Sequence, residues 1–295
     1  MKILVTGRGG QVARALAERG SMRGSEIDLK FVQRPRLDLA DPESIARVIG
    51  EVQPELIVSA AAYTAVDKAE DEPELAMAVN GEAPGHIGRA AAQVGAGVLH
   101  LSTDYVFDGS GEEPWTESDR TGPLGLYGRS KLAGEQALAA SGARHAIIRT
   151  AWVYSPFGAN FVKTMLRLAE ERDELTIVAD QYGNPTSAHD IADALLAVVG
   201  SWADDPQPGA SPVYHFGGTG STNWADFARA IFAESEKHGG PTARVRDIPS
   251  SEFPTRATRP ANSRLDSSLF AETFGYRSPR WRDSLASVVD RLVGS

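Results

Sequence analysis

The stretch Lys2-Ile3-Leu4-Val5-Thr6-Gly7-Arg8-Gly9-Gly10-Gln11-Val12-Ala13 decides the fold. Its first five residues form an apolar run of strand character, and a helical pattern follows to about Arg19. Gly7 to Ala13 between them fits a G-x-x-G-x-x-A spacing. Glycine lets the backbone turn and approach a pyrophosphate, while the helix start supplies free N–H groups and a positive dipole end. Ala13 is small enough for close helix–strand packing. Strand, glycine turn and helix together read as the start of a dinucleotide-binding unit, with Gly7 and Gly10 in the turn.

Working outward, apolar runs alternate with helical patterns. Asp28 to Gln33 reads as a second strand and Leu56 to Ala60 as a third. Asp41 to Ile49 reads as a helix, with Asp41 as N-cap and Pro42 at the first helical position. Leu75 to Val94 reads as one long helix, Gly97 to Ser102 as a strand, Ser130 to Ala140 as a helix and His145 to Thr150 as a strand. This alternation implies an α/β chain: a Rossmann-type, doubly wound parallel sheet with a smaller C-terminal α/β substrate domain.

Beyond Thr150 the texture changes. Asn160 to Glu171, Ala188 to Val199, Trp224 to Lys237 and Trp281 to Leu292 are helical in pattern, and Leu175 to Val178 is a short strand. Asp204 to Pro212 is a loop by its Pro, Asp and Gly content, and Val213 to Phe216 is a strand able to return to the first sheet. Pro249 to Ser268, with its prolines and arginines, reads as irregular but specialised. The expected division is a dinucleotide domain over 1–150 with a return segment near 188–216. Residues 151–187 and 217–295 then form the substrate domain.

Bulk properties narrow the function. The 295 residues carry a formal net charge of -9, which makes nucleic acid a poor partner. The absence of Cys excludes disulfides, thiolate metal sites and a Cys nucleophile, and fits a reducing compartment. No run reaches the roughly 18 apolar residues of a membrane span, and the N-terminus lacks a signal-peptide layout. The expectation is a cytoplasmic protein with no membrane partner.

The end of the second strand chooses the cofactor, because a carboxylate there binds the ribose 2′-OH of NAD and a basic residue tolerates the 2′-phosphate of NADP. Val32-Gln33-Arg34-Pro35-Arg36 has no carboxylate. Arg34, alone or with Arg36, is the candidate to face a 2′-phosphate, the alternative being a solvated arginine. Asp38 and Leu39 follow where the chain passes the adenine. Ala60, Ala61, Ala62, Tyr63 and Thr64 come after the third strand, where small residues let backbone approach phosphates and ribose.

Tyr127 and Lys131 are four apart and share a face on a helix. A free Tyr is a poor acid at neutral pH, and a nearby ammonium lowers its pKa. So tuned, the phenol can protonate a carbonyl oxygen as hydride reaches the carbon. Thr103, in Ser102-Thr103-Asp104 at the end of the fourth strand, offers a hydroxyl to the same oxygen.

Leu101-Ser102-Thr103-Asp104-Tyr105-Val106-Phe107, together with Tyr127-Gly128-x-x-Lys131, resembles the extended short-chain dehydrogenases of sugar-nucleotide metabolism. More narrowly it is similar to the dTDP-4-dehydrorhamnose reductase family. Further matching segments begin at Ala60, Arg149, Asn160, Asp180 and Arg259, so the resemblance covers nearly the whole chain. It implies NADPH-dependent reduction of a 4-keto sugar nucleotide, with NADH as a possible substitute. It implies Tyr127 as proton donor and Lys131 as the ribose-binding partner that lowers the Tyr pKa. Thr103, in place of the more usual Ser, would orient the carbonyl. Gly10, Gln11, Val12, Asp38, Leu39, Ala62, Tyr63, Thr64 and Leu101 would hold the cofactor. Thr103, Asp104 and Trp152 would contact the sugar, with plain core as the other reading of Trp152.

A nucleoside diphosphate needs cations for its pyrophosphate, and Arg256, Arg259, Asn262 and Arg264, with Asn160 and Lys163, are the candidates. Solvated loop or interdomain ion pairs are the alternative for each. Some members of the family hold Mg²⁺ at a dimer interface through a Glu on the first helix. Here that helix reads Val12-Ala13-Arg14-Ala15-Leu16, so neither that metal nor that dimer is expected, only a monomer or weak homodimer. Tyr63 stands where a His is common. Two other functions compete: a 4-epimerase of the superfamily, disfavoured by the missing acid after the second strand, and a non-catalytic regulatory subunit of methionine adenosyltransferase, disfavoured by the intact Thr103, Tyr127 and Lys131.

Overall fold

A computed structural model describes residues 1–22, 27–204 and 212–294. Strand β1 (Lys2–Thr6) leads through the glycine turn into α1 (Gln11–Ser21), and β2 (Asp28–Val32) follows. Helix α2 (Pro42–Val52) starts as expected, with the Asp41 carboxylate accepting from the Glu43 amide and Pro42 at its first turn. Its Ile45, Val48 and Ile49 recur on one face and are buried against the sheet. Strand β3 (Leu56–Ser59) precedes α3 (Val66–Ala69), a short helix that the sequence pattern does not signal.

The expected helix Leu75 to Val94 is helical throughout but not uniform. It runs as α4 (Pro73–Ala76), a π turn (Met77–Glu82) and α5 (Ala83–Val94). The wide turn falls at Asn80-Gly81 and carries a polar side chain inward, the usual reason for such a bulge at a site. Strand β4 (Gly97–Thr103), helix α6 (Leu126–Ala139) and β5 (His145–Thr150) complete this half. Helix α6 begins earlier than Ser130, so Tyr127 and Lys131 both lie on it.

Beyond β5 come β6 (Val153–Tyr154), α7 (Phe161–Ala169), β7 (Glu174–Val178), β8 (Tyr182–Gly183), β9 (Thr186–Ser187) and α8 (Ala188–Asp204). Residues 205–211 of the expected loop lie outside the described residues. Then follow β10 (Val213–His215), β11 (Thr222–Asn223), α9 (Trp224–Lys237), β12 (Arg244–Ile248), β13 (Asn262–Ser263), α10 (Ser268–Phe274) and α11 (Trp281–Val293). Strand β12 and helix α10 are additions to the sequence reading. β12 pairs in parallel with β7, and α10 begins at Ser268, where the segment expected to be irregular ends.

The main sheet is parallel, in the order β10-β5-β4-β3-β1-β2. Strand β10 returns to it as its pattern suggested. Alternate residues face opposite cores: Ile3, Val5, Leu56 and Val58 join one cluster with α1 and α8, while Leu4 and Ile57 join the other with α2 and α5. A third cluster lies in the C-terminal half, built by Met165, Phe227, Ile231, Trp281 and Leu285. The carboxyl ends of β1, β3 and β4 therefore open toward the segments that β7 to β13 supply, which is where ligands bind in such sheets.

Candidate active site

The glycine turn is set by local geometry. Gly7 has φ +86, a region that favours glycine, and its amide donates to Val32 O at 2.7 Å, tying the turn to β2. Gly9 and Gly10 differ. A Cβ on either meets nothing within 4 Å, and Gly10 has φ -69 and ψ 158, which any residue can adopt. Neither backbone strain nor packing calls for glycine at these two positions. Open space at the start of an eleven-residue helix is what a pyrophosphate requires, so the residues fit a dinucleotide.

The Gln11 side chain has other work. It donates to Val153 O at 3.4 Å and accepts from Ser155 Oγ at 2.7 Å and Asn160 Nδ2 at 3.0 Å, joining the two halves of the chain. What Gln11 and Val12 can offer a cofactor is the helix start itself. The amides of Ala60 and Ala61 both donate to Thr6 Oγ1 at 3.0 Å, so these two residues present a smooth surface rather than donors. Asp38 turns its carboxylate back to the Ala40 amide at 3.0 Å, and Leu39 packs against the sheet cluster of α2. Arg34 is exposed, whereas the cleft beside β2 is lined by Arg8, Val32 and Arg36. Arg36 is paired with Glu51 at 3.2 Å, which leaves Arg8, inside the glycine turn, as the arginine that sequence reasoning overlooked.

Asn80 is the second residue overlooked. It is buried in the π turn, where its amide oxygen accepts from Tyr63 N at 2.8 Å and its Nδ2 donates to Tyr63 O at 2.9 Å and Ser130 Oγ at 3.2 Å. It therefore clamps the Ala60–Thr64 segment to the helix of Tyr127. A polar Asn followed by Gly inside a small-residue helical pattern was the available signal. Tyr63 also donates its hydroxyl to Glu72 at 2.8 Å. Thr64 is exposed beyond it.

Tyr127 and Thr103 meet as expected. The Thr103 hydroxyl lies near the Tyr127 phenol and donates to Asp104 Oδ1 at 2.9 Å, and the ring of Tyr105 stands edge-on to Tyr127 at 5.6 Å. Gly128 has no room for a Cβ, because Tyr105 O occupies the place where one would sit, and this closeness brings the helix onto the end of β4. The expected pKa tuning is corrected here. Burial and the Asp104 carboxylate push the Tyr127 phenol up to about 12, only Thr103 opposing. The Lys131 ammonium itself donates to Leu101 O at 2.6 Å and approaches His100 Nε2 at 3.2 Å. Burial brings Lys131 down to about 8, with Glu135 opposing.

Asp104 is 2% exposed, and burial raises its carboxyl to about 6 against the hydroxyls of Ser263 and Thr103. Its Oδ2 has no partner among the described residues, and neither has the buried Nη1 of Arg259. Trp152 has φ +48 and stacks on Trp224 at 3.5 Å with 7° between planes. It lies so close to Gly183 that a side chain there has no space. It is half-buried, one part core and one part wall.

The remaining expected substrate contacts divide. Arg256 pairs with Asp71, and Arg259 with Asp67 at 2.7 Å, so both arginines bridge the C-terminal segment to the loop around α3. Lys163 is half-buried with Nζ 3.5 Å from Pro156 O. Asn160, Asn262 and Arg264 are spent on the protein itself, contrary to expectation. Asn160 caps α7 and holds Gln11, Asn262 donates to Glu113 O at 2.8 Å, and Arg264 donates to Asn262 Oδ1 at 2.9 Å and to Glu112 O. Their polar atoms satisfy loops that must be tied down before any site exists.

Comparison with known proteins agrees with this geometry. The profile of the RmlD substrate binding domain family matches residues 1–293. A dTDP-4-dehydrorhamnose reductase of Sinorhizobium fredii (strain NBRC 101917 / NGR234) is 46% identical over 99% of this chain and 98% of its own. The crystal structure of a dTDP-4-dehydrorhamnose reductase from Clostridium acetobutylicum superposes with a TM-score of 0.90 at 36% identity, covering 99% of both chains. That of the Bacillus anthracis protein, in complex with NADP, superposes with a TM-score of 0.89 at 33% identity, covering 98% of this chain and 99% of its own.

Proposed function

This chain belongs to the dTDP-4-dehydrorhamnose reductase family, and we propose on that footing that it reduces the 4-keto group of dTDP-4-dehydro-L-rhamnose to dTDP-L-rhamnose with NADPH. The observation that carries the reading is the placement of Tyr127, in the first turn of α6, against Thr103 at the carboxyl end of β4.

The bound nicotinamide supplies the hydride to carbon 4. Tyr127 gives its phenolic proton to the oxygen of that carbon, and a phenol held protonated up to about pH 12 is stocked for this task. The Thr103 hydroxyl donates to the same oxygen and orients it. Lys131 binds the nicotinamide ribose with the donor that Leu101 and His100 leave over. The free Oδ2 of Asp104 accepts from a sugar hydroxyl, and Trp152 walls the sugar. Arg259, through its free Nη1, with Arg256 and Lys163, meets the pyrophosphate. Arg8 meets the 2′-phosphate of the cofactor.

The same reading keeps 1–150 with 188–216 as the cofactor domain and 151–187 with 217–295 as the substrate domain. The sharing of one core by β1 to β5, α8 and β10 supports this. It keeps a monomer or weak homodimer. Glu18 is engaged by His189 and Arg291, and Asp190 by Ser284, all within the chain. It keeps the cytoplasm as compartment, because NADPH and a sugar nucleotide are charged esters that do not cross a bilayer unaided. No described helix is long and apolar enough to cross a membrane. Nucleic acid has no part in it, consistent with the net charge of -9.

The test is coupled turnover of dTDP-glucose through a 4,6-dehydratase and a 3,5-epimerase, then this protein with NADPH. Stoichiometric NADPH loss with formation of dTDP-L-rhamnose is expected. A product epimerised without net loss of NADPH, or NADPH bound without any turnover, refutes the reading.

A further inference from the structure

We infer that His100 is a positioning residue for Lys131: a neutral imidazole sealed beneath the site, whose Nε2 fixes the ammonium in place and keeps it charged. The inference rests on the role given above to Lys131.

The argument starts from donors and acceptors. An ammonium has three N–H donors and no acceptor. Lys131 spends one on Leu101 O at 2.6 Å and turns a second toward His100 Nε2 at 3.2 Å. Because an ammonium can only donate, Nε2 must carry a lone pair and the ring proton must be on Nδ1. Nδ1 lies 3.0 Å from Ser59 Oγ, whose lone pair accepts that proton. His100, Lys131 and Ser59 are each 2% exposed, so bulk water does not solvate the charge. A buried ammonium without water depends on such fixed acceptors, since each one missing costs the full desolvation of a donor.

The surroundings explain why a histidine suits the position. Burial, the Lys131 ammonium and His145 hold His100 well below the usual imidazole range, so it stays an acceptor. A carboxylate there would add a buried negative charge and cancel the field of the ammonium in an ion pair, and an aliphatic side chain would fill the space and leave one fixed acceptor fewer. The other groups facing Lys131 are few. Glu135 stands one turn further along α6 and is itself taken by Arg149 of β5. Tyr127 lies one turn back, with Asp104 of β4 beyond it, and the π turn contributes only the uncharged Asn80, against Ser130. His100 is thus the near neighbour whose replacement changes the ammonium without changing net charge.

The test is an NMR titration of ¹³Cε-labelled lysine in the free protein, with Lys131 assigned from its Met variant. It compares wild type, His100→Leu, His100→Gln and Ser59→Ala. His100→Leu is expected to move the Lys131 midpoint down by about one pH unit or more, the loss of one charge-assisted hydrogen bond. Gln, whose Oε1 can take the place of Nε2, restores most of it. Ser59→Ala, by removing the acceptor of the Nδ1 proton, weakens the tautomer that faces Lys131 and gives a smaller move in the same direction. The alkaline limb of NADPH-dependent kcat/KM moves with the midpoint. A Leu variant that melts earlier yet leaves the Lys131 midpoint in place overturns the inference. Should that variant not fold, an unmoved midpoint in Ser59→Ala overturns it. Lack of turnover in wild type refutes the reductase reading alone, since the titration needs no substrate.

Discussion

Glu135 and Arg149 meet through two hydrogen bonds, Nε to Oε1 at 3.0 Å and Nη2 to Oε2 at 2.7 Å, and both side chains are almost fully enclosed. Glu135 lies one turn beyond Lys131 and two beyond Tyr127 on α6, and its Oε1 also accepts from the Ser102 hydroxyl. The pair therefore fixes the helix of the proton donor against β5, and the Ser102 hydroxyl ties the same carboxylate to the strand that ends in Thr103.

Removing one partner leaves a buried charge uncompensated. Glu135→Ala or Arg149→Ala is expected to cost about 3–5 kcal/mol of stability, read from urea unfolding. A loss below about 1 kcal/mol would show that the pair does not hold α6 in place.

Tyr127→Phe removes the proton and little volume. Turnover should fall by about 10²–10⁴ while NADPH binding, followed by fluorescence, is retained. Near wild-type turnover in this variant takes Tyr127 out of the mechanism.

The pH profile follows from Lys131. Burial depresses its ammonium to about 8, so the charged form is complete well below that pH and lost as pH rises through it. With NADPH, kcat/KM is expected to be level near pH 7 and to fall above about 8. A profile that stays level to pH 10 disconnects the ammonium from the reaction.

Asp104 has the opposite cost. Burial raises its folded-state carboxyl to about 6, above the ordinary 3.8, so its contribution to stability is fully present below about pH 4 and lost as pH rises through 6. Asp104→Asn should therefore gain stability relative to wild type between pH 4 and pH 7 while losing activity. An unchanged difference in unfolding free energy at the two pH values contradicts this.

Arg8 is expected to choose between cofactors. Arg8→Ala should raise KM for NADPH about tenfold, the scale of one charge-assisted hydrogen bond, and leave KM for NADH nearly unchanged. An equal rise for both cofactors assigns Arg8 to the shared part of the nucleotide.

The sequence by itself determined the parallel sheet, the glycine turn and the pairing of Tyr127 with Thr103. These depend on local rules: Asp41 caps the helix two residues away, strand residues alternate between two faces, and Tyr127 and Lys131 share a helix face wherever that helix is put. Tertiary structure decided what those residues are when surrounded. It set the Lys131 ammonium against His100, and it raised Tyr127 and Asp104 by burial. It also placed Asp67 against Arg259 and spent Asn160 on Gln11. The physical reason is range. Helix caps and strand periodicity are set by near neighbours in the chain, whereas desolvation and ion pairing depend on groups that only the folded chain brings together.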